Sequence, residues 1–128
     1  MILTLTELSP EPLHTQISRQ IRARILSREI GGGEVLPSIR GLAREYRVSA
    51  ITVQRAYEDL EREKLLLSHP GKGFYVVEHP QTTTTDMAAR RFSVAFAELV
   101  RQGRAEGLGE VEIRGAIEAV MGLPGGSS

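Results

Sequence analysis

VSAITVQRAYEDLE, residues 48–61, places Val53, Ala56, Tyr57 and Leu60 at helical spacing. At 3.6 residues per turn these four side chains fall within about 100 degrees of arc, the width of a core-facing stripe. Ser49 is of the type that accepts a hydrogen bond from the free backbone N–H groups at a helix start, so the spacing predicts a helix from Ala50 to about Lys64. The same angles turn Ile51, Arg55 and Glu58 away from the stripe. Gln54 lies beside them, and Ala50 and Thr52 flank that face near the N-terminus.

Working upstream, LPSIRGLAREY (36–46) reads as a short helix. Pro37 blocks its backward extension, Ser38 caps it, and Ile39, Leu42 and Ala43 repeat at three and four. RVS (47–49) is then a tight turn. PLHTQISRQIRARILSREI (12–30) sets Leu13, Ile17, Ile21 and Ile25 four apart, with Pro12 suited to the first turn and Gly31, Gly32 and Gly33 ending the helix. Downstream, LLLS (65–68) and GFYVV (73–77) are strand-like and joined by HPGK (69–72), whose Pro-Gly step reads as a turn. Helix, short helix, three-residue turn, helix and hairpin together make a winged helix-turn-helix. Small Ala43 lets the two short helices cross steeply, and Val48 plugs the turn. In that arrangement the third helix presents its N-terminal half to the major groove of DNA.

Composition agrees with a small globular chain and excludes several classes. The 128 residues are 41% hydrophobic and 25% charged, enough for one small domain with an accessory element but not for a large enclosed active site. Cysteine is absent, which removes disulfides, thiolate zinc sites and cysteine nucleophiles. The start MILTLTELSPEP has no basic stretch followed by an apolar one, and no apolar run approaches a membrane span, so a cytoplasmic location is expected. Lys and Arg number 16, as do Asp and Glu, yet this neutrality is an average. From Pro12 to Tyr57 the cations Arg19, Arg22, Arg24, Arg28, Arg40, Arg44, Arg47 and Arg55 face only Glu29, Glu34 and Glu45, whereas EDLEREK (58–64) reverses the sign. Phosphate binding depends on such a local basic face, because only cations near the backbone release its counterions. The alternative for any arginine run is a solvated helix surface.

PLHTQI (12–17), LPSIRGLAREYRVSAITVQRAYEDLE (36–61) and GKGFYVV (71–77), in this order and spacing, resemble the DNA-binding domain of GntR-type bacterial transcription regulators. The resemblance implies a homodimer on an inverted-repeat operator of double-stranded DNA. It assigns Arg40 to DNA beside the recognition helix, Ser49 and Thr52 to phosphate and base contacts at the helix start, and Gly71 to a wing tip at the minor groove, followed by Lys72. Two departures stand out. The family usually has VSRxTV, so Ala50 replaces an arginine that commonly reads guanine, a contact that contributes about 1–3 kcal/mol of discrimination. Arg47 occupies the turn position where helix-turn-helix proteins favour glycine, and a left-handed conformation there would strain it. Ala50 and Ile51 are then candidates for an apolar surface against thymine methyls, with Gln54 and Arg55 as polar contacts. The alternative is that Ile51 packs on the second helix or the wing.

Other patterns carry less. GKG (71–73) lies inside a hairpin and lacks the full GxxxxGK[ST] spacing of a nucleotide loop. His14, His69 and His79 show no metal-ligand spacing, so neither metal nor cofactor is expected. Arg19 and Arg22 either line the DNA backbone or are solvated, and Glu58, Asp59, Glu61 and Glu63 are expected to face solvent. No acid-base pair or nucleophile constellation suggests an enzyme.

After Val77 the polar EHPQTTTT reads as a linker over 78–85. DMAARRFSVAFAELVRQG (86–103) carries Ala88, Phe92, Ala95 and Leu99 on one stripe behind an Asp86 cap, widened by Phe96 and Val100. EVEIRGAIEAVM (110–121) has Ile113, Ile117, Val120 and Met121 on one side. Two such helices cannot bury both stripes against each other, so a twofold copy is expected to cover Phe92, Ala95, Phe96, Leu99, Ile113, Ile117 and Val120; packing onto the chain's own winged domain is the alternative. The short tail resembles the YtrA-like subfamily, which implies a repressor. It also leaves no room for an enclosed effector pocket, so any small-molecule effector, of unknown identity, would act at the dimer interface. The expected fold is mostly α with a small β-hairpin: a winged helix-turn-helix over 1–77, the linker, a helical dimerisation element over 86–122 and a disordered tail over 123–128. The competing reading is a winged-helix protein-interaction module without DNA binding.

Overall fold

The computed structural model describes residues 1–122, so the tail expected over 123–128 lies outside the described residues. The elements run α1 (Leu13–Leu26), α2 (Ile39–Tyr46), α3 (Ala50–Arg62), β1 (Leu66–His69), β2 (Gly73–Val76), α4 (Gln81–Ala105) and α5 (Glu110–Met121). They divide into two compact units, Met1–Met87 and a second beginning at Ala88.

The first unit is a winged helix-turn-helix built on the expected apolar stripes. Ile17, Ile21 and Ile25 of α1, Leu42 and Ala43 of α2, and Val53, Ala56, Tyr57 and Leu60 of α3 close one core, joined by Leu65, Leu66 and Val76 of the hairpin. Each fully buried aliphatic side chain in such a core stabilises the fold by roughly 1.5–3 kcal/mol. Tyr57 packs edge-on against Phe74, with ring centres 5.2 Å apart. Burial raises its phenol pKa, and its hydroxyl donates to the Pro37 carbonyl at 2.7 Å. The recognition helix is therefore fastened both to the hairpin and to the segment that launches α2.

β1 and β2 pair antiparallel with Leu66 opposite Val76 and His69 opposite Gly73. A third extended segment completes the sheet. Val35 bridges Tyr75, Leu36 N–H donates to the Phe74 carbonyl, and Val76 N–H donates to that of Glu34. The glycine run before it allows this close return: a β-carbon on Gly32 would lie 2.8 Å from Glu78 Cα.

Several boundaries differ from the sequence reading. α1 stops at Leu26, short of the triple glycine, because Arg28 turns left-handed at φ 67. The linker expected over 78–85 is helical from Gln81, and Asp86 lies inside α4 and caps nothing at its start. Threonines are weak helix formers, but here tertiary packing overrides propensity. Thr83 and Thr84 N–H groups donate to the Pro80 carbonyl, Thr84 is buried, and Met87 packs on the core one turn later.

The N-terminal segment is the largest feature absent from the sequence reading. Leu3 is buried, and the extended chain around it is held by side-chain amides of α1. Gln20 Oε1 accepts from Thr4 N–H while its Nε2 donates to the Thr4 carbonyl; Gln16 makes the same pair of bonds to Thr6. An amide carries one acceptor and a donor group, so glutamines one helical turn apart match alternate residues of an extended strand. Tyr46 closes the arrangement, its hydroxyl accepting from Leu3 N–H at 2.8 Å and donating to the Met1 carbonyl at 3.1 Å.

In the second unit α4 and α5 flank an open groove of about 230 Å³, lined by Phe96, Leu99, Val100, Leu108, Ile113 and Ile117 among others. At the start of α5 the Gly109 N–H donates to Glu112 Oε1 at 2.8 Å. No residue of α5 is buried.

Candidate nucleic-acid interface

Both short helices begin with the caps expected of them. Ser38 Oγ accepts from Gly41 N–H at 2.9 Å, and Ser49 Oγ accepts from Thr52 N–H at 3.0 Å. The Ser49 and Thr52 hydroxyls also lie 2.7 Å apart, so two polar side chains sit together where the α3 macrodipole is positive. Such a helix start suits a phosphate.

Between the helices, Arg47 is left-handed at φ 55 and ψ 45, and the backbone N–H groups of Arg47 and Val48 both donate to the Ala43 carbonyl. This is the position at which the sequence departs from glycine, and the strain anticipated there is present.

Every residue assigned to DNA by resemblance or by angle is on the surface. Arg40 lies on the exposed flank of α2; Ser49, Ala50 and Ile51 are exposed at the start of α3, with Thr52 half-buried; Gln54 and Arg55 follow on the same exposed side. Ile51 is 68% exposed, which removes the alternative that it packs inside the domain. Gln54 Nε2 donates to Glu58 Oε2 at 3.1 Å, so the first acid behind the face is partly engaged. At the wing, Lys72 N–H donates to the His69 carbonyl, and Gly71 at φ 79 follows Pro70, the combination a type II turn requires. Gly71 and Lys72 are both exposed at this tip.

The electrostatics of the first unit separate two kinds of arginine. Arg19 pairs with Glu11, Arg22 forks onto Glu63 through two 2.6 Å bonds, Arg24 meets Glu29, Arg28 donates to the His79 carbonyl and Arg62 binds Asp59. By contrast Arg40, Arg44, Arg47 and Arg55 are exposed and have no hydrogen-bond or ion-pair partner among the described residues. The arginines of α1 are thus neutralised locally, whereas Arg40 and Arg44 of α2, Arg47 of the turn and Arg55 of α3 carry charge that is unpaired among the described residues.

This pairing corrects two expectations. Arg19 and Arg22 belong to ion pairs within the domain. Glu63 clamps α1 to the end of α3, Asp59 holds Arg62, and Glu61 accepts from the Ser68 backbone and hydroxyl, so these acids are not simply solvated. Hydrogen bonding to Arg19 holds the Glu11 carboxyl below the usual carboxylate range. The histidines serve structural contacts: His79 Nε2 donates to the Lys64 carbonyl at 2.8 Å, and His69 lies beside Tyr75. Among the described residues no cluster of His, Asp and Glu could hold a metal, and no helix is long and apolar enough to cross a membrane.

A capped, arginine-flanked helix behind an αL turn, followed by a Pro-Gly wing, matches a known family pattern. Residues 13–76 fit the model of bacterial regulatory proteins of the gntR family. The chain belongs to the GntR family. Among curated relatives, this GntR protein is 35% identical over 78 residues to the HTH-type transcriptional repressor YtrA of Bacillus subtilis (strain 168), covering 61% of this chain and 60% of that one. The chain spans about 60% of the length of the first curated relatives it matches. A transcriptional regulator from Oenococcus oeni superposes with a TM-score of 0.68 over 94% of this chain and 99% of its own, at 18% identity, a likeness of fold. AraR(DBD) in complex with operator ORX1 superposes with a TM-score of 0.54 at 26% identity, over 60% of this chain and 99% of its own.

Proposed function

We propose that this GntR-family protein is a sequence-specific DNA-binding transcriptional repressor of the YtrA-like kind. In this reading it acts as a homodimer on an inverted-repeat operator in the bacterial cytoplasm. The observation that carries the proposal is the division among the arginines: five in the winged unit are bonded internally, whereas Arg40, Arg44, Arg47 and Arg55 are exposed and unpaired among the described residues. The similarity to AraR(DBD), whose structure holds an operator, supports DNA binding by the winged unit. α3 enters the major groove with Ser49, Ala50, Ile51, Thr52, Gln54 and Arg55. Arg40 lies at the flank, and Gly71 with Lys72 approaches the minor groove.

Ala50 and the exposed Ile51 supply methyl and aliphatic surface in place of the guanine-reading arginine, which favours thymine at one position of each half-site. Dimerisation runs through the second unit. Phe92, Leu99 and Val120 are 70%, 64% and 85% exposed in the single chain, Phe92 and Phe96 stack at 5.9 Å, and Ala95, Ile113 and Ile117 continue the same apolar surface. A second copy covering this surface supplies the twofold axis that a palindromic operator requires. A small-molecule effector, if one acts, binds where it can bias that dimer between two spacings of its recognition helices.

The test starts with selection of duplexes from a random pool by the full chain, followed by fluorescence anisotropy against salt. A recovered inverted repeat, bound with a log-log salt slope of several units, supports the reading, since each neutralised phosphate adds about 0.9. Failure to enrich any sequence, with no binding at low salt, refutes it. Ala50→Arg should move the selected half-site toward guanine at one position. Leu99→Asp should shift sedimentation from dimer to monomer. A fusion of a selected operator to a reporter, with and without the protein, checks the sign of regulation.

A further inference from the structure

The flank of α2 carries a pattern beyond the DNA contacts assigned so far. Arg40 and Arg44 are four apart on the exposed side of a helix whose buried side is Leu42 and Ala43, and exposed Arg47 caps the C-terminus of that helix. None of the three has a partner among the described residues. Arg47 also has an unfavourable backbone, left-handed at φ 55. Among the described residues, the other non-glycine residues with positive φ are Arg28 and Lys64, and both are tied to His79. The Arg28 guanidinium donates to the His79 carbonyl, and the Lys64 carbonyl accepts from the His79 ring. Arg47 has no such side-chain contact. Glycine would adopt its conformation without strain, so what the arginine contributes there is its charge.

We infer that Arg44 and Arg47 extend Arg40 into a phosphate-binding rail along α2, gripping the DNA backbone independently of sequence. This rests on the DNA-binding reading above and adds two residues to it. At 1.5 Å rise per residue Arg40 and Arg44 lie about 6 Å apart along α2, with Arg47 following just past its C-terminus, and one DNA strand presents a phosphate about every 3.4 Å of axis, so each guanidinium can meet its own phosphate. In helix-turn-helix docking the helix before the recognition helix crosses the backbone, where such a rail is useful. Guanidinium groups suit the task because their forked donors match phosphate oxygens.

The experiment compares Arg47→Gly, Arg47→Lys and Arg44→Ala with the wild-type chain. Binding is measured on the duplex that the wild type selects from a random pool and on a scrambled duplex of equal length, each across a salt series. At 0.1 M salt one phosphate contact is worth about eightfold in affinity per half-site, and its loss lowers the salt slope by about 0.9. Arg47→Gly is expected to weaken both duplexes by similar factors and flatten both slopes. Its melting temperature should not fall, because glycine relieves the left-handed strain. Arg47→Lys should recover most of the affinity, and Arg44→Ala should behave like Arg47→Gly on both duplexes. The rail is overturned if Arg47→Gly and Arg44→Ala bind both duplexes with unchanged slopes, or if only the selected duplex suffers, which would make Arg47 a base reader. If the wild type itself binds neither duplex, the DNA-binding reading falls and the rail with it; if only the variants are unaffected, that reading stands without the rail.

Discussion

Removing the single hydroxyl of Tyr57 tests how the recognition helix is anchored. Tyr57 is fully buried, and its hydroxyl donates at 2.7 Å to the Pro37 carbonyl, the acceptor immediately before the Ser38 cap of α2. Tyr57→Phe keeps the edge-on contact with Phe74 but leaves that carbonyl without its donor. An unmade hydrogen bond to a buried group costs about 1–3 kcal/mol, and half-buried Pro37 should place this one at about 1–2 kcal/mol. For a unit of this size each kcal/mol corresponds to a fall of about 4–8 °C in Tm. The loss should depend on pH in a definite direction. Burial raises the folded-state pKa of Tyr57 above that of the unfolded chain, so the contribution of the neutral phenol is complete below about pH 10 and declines as pH rises beyond it. Phenylalanine has no such proton, and the other tyrosines are common to both proteins. The stability gap between wild type and Tyr57→Phe should therefore close at about 1.4 kcal/mol per pH unit above pH 10. Urea unfolding followed by circular dichroism at pH 7 and between pH 9.5 and 11 measures it. A gap that is absent at pH 7, or that stays constant into alkali, would refute the argument.

Two further substitutions probe parts of the fold that the core pattern does not reveal. Gly32→Ala should destabilise the winged unit by about 1–3 kcal/mol, since its β-carbon would press on the Glu78 backbone. Gly31→Ala, whose β-carbon meets nothing within 4 Å, should change thermal stability by less than about 0.5 kcal/mol, and equal effects would remove the proposed close approach. Gln16→Leu should strip the donors and acceptor that hold Thr6 and Glu11, costing about 2 kcal/mol. Amide exchange at Leu3, Thr4 and Thr6 should then accelerate well beyond that in α3, and uniform exchange across the unit would contradict a local role for the glutamine.

How much of this protein was legible in its sequence depends on the range of the interactions involved. Apolar periodicity marked Ile17, Ile21, Val53, Ala56, Tyr57 and Leu60 as core, because a stripe at helical spacing has to be covered whatever covers it. Ser38 and Ser49 were readable as caps because a cap joins residues three apart. The Pro-Gly wing turn and the departure from glycine at Arg47 were local in the same sense. The exposed side of α3 was legible too, as the residues left over once its core stripe had been removed, whereas Arg40, Gly71 and Lys72 entered the candidate interface through the family resemblance.

Interactions between residues distant in sequence were not legible. That Arg22 is consumed by Glu63 depends on α1 meeting the end of α3, and no spacing in the chain records that encounter or predicts that Arg44 has no partner among the described residues. The N-terminal segment resembles loop because its order comes from Gln16, Gln20 and Tyr46, polar residues that periodicity assigns to the surface. The threonines of 82–85 resemble linker because their helix is held by burial of Thr84 and packing of Met87, a tertiary gain that outweighs weak intrinsic propensity. Sequence alone therefore determined which surfaces of the winged unit must be buried and where its two short helices begin. Only the tertiary structure decided which charges are neutralised and which remain for a ligand, because a charge's availability is set by neighbours that folding brings together from distant parts of the chain.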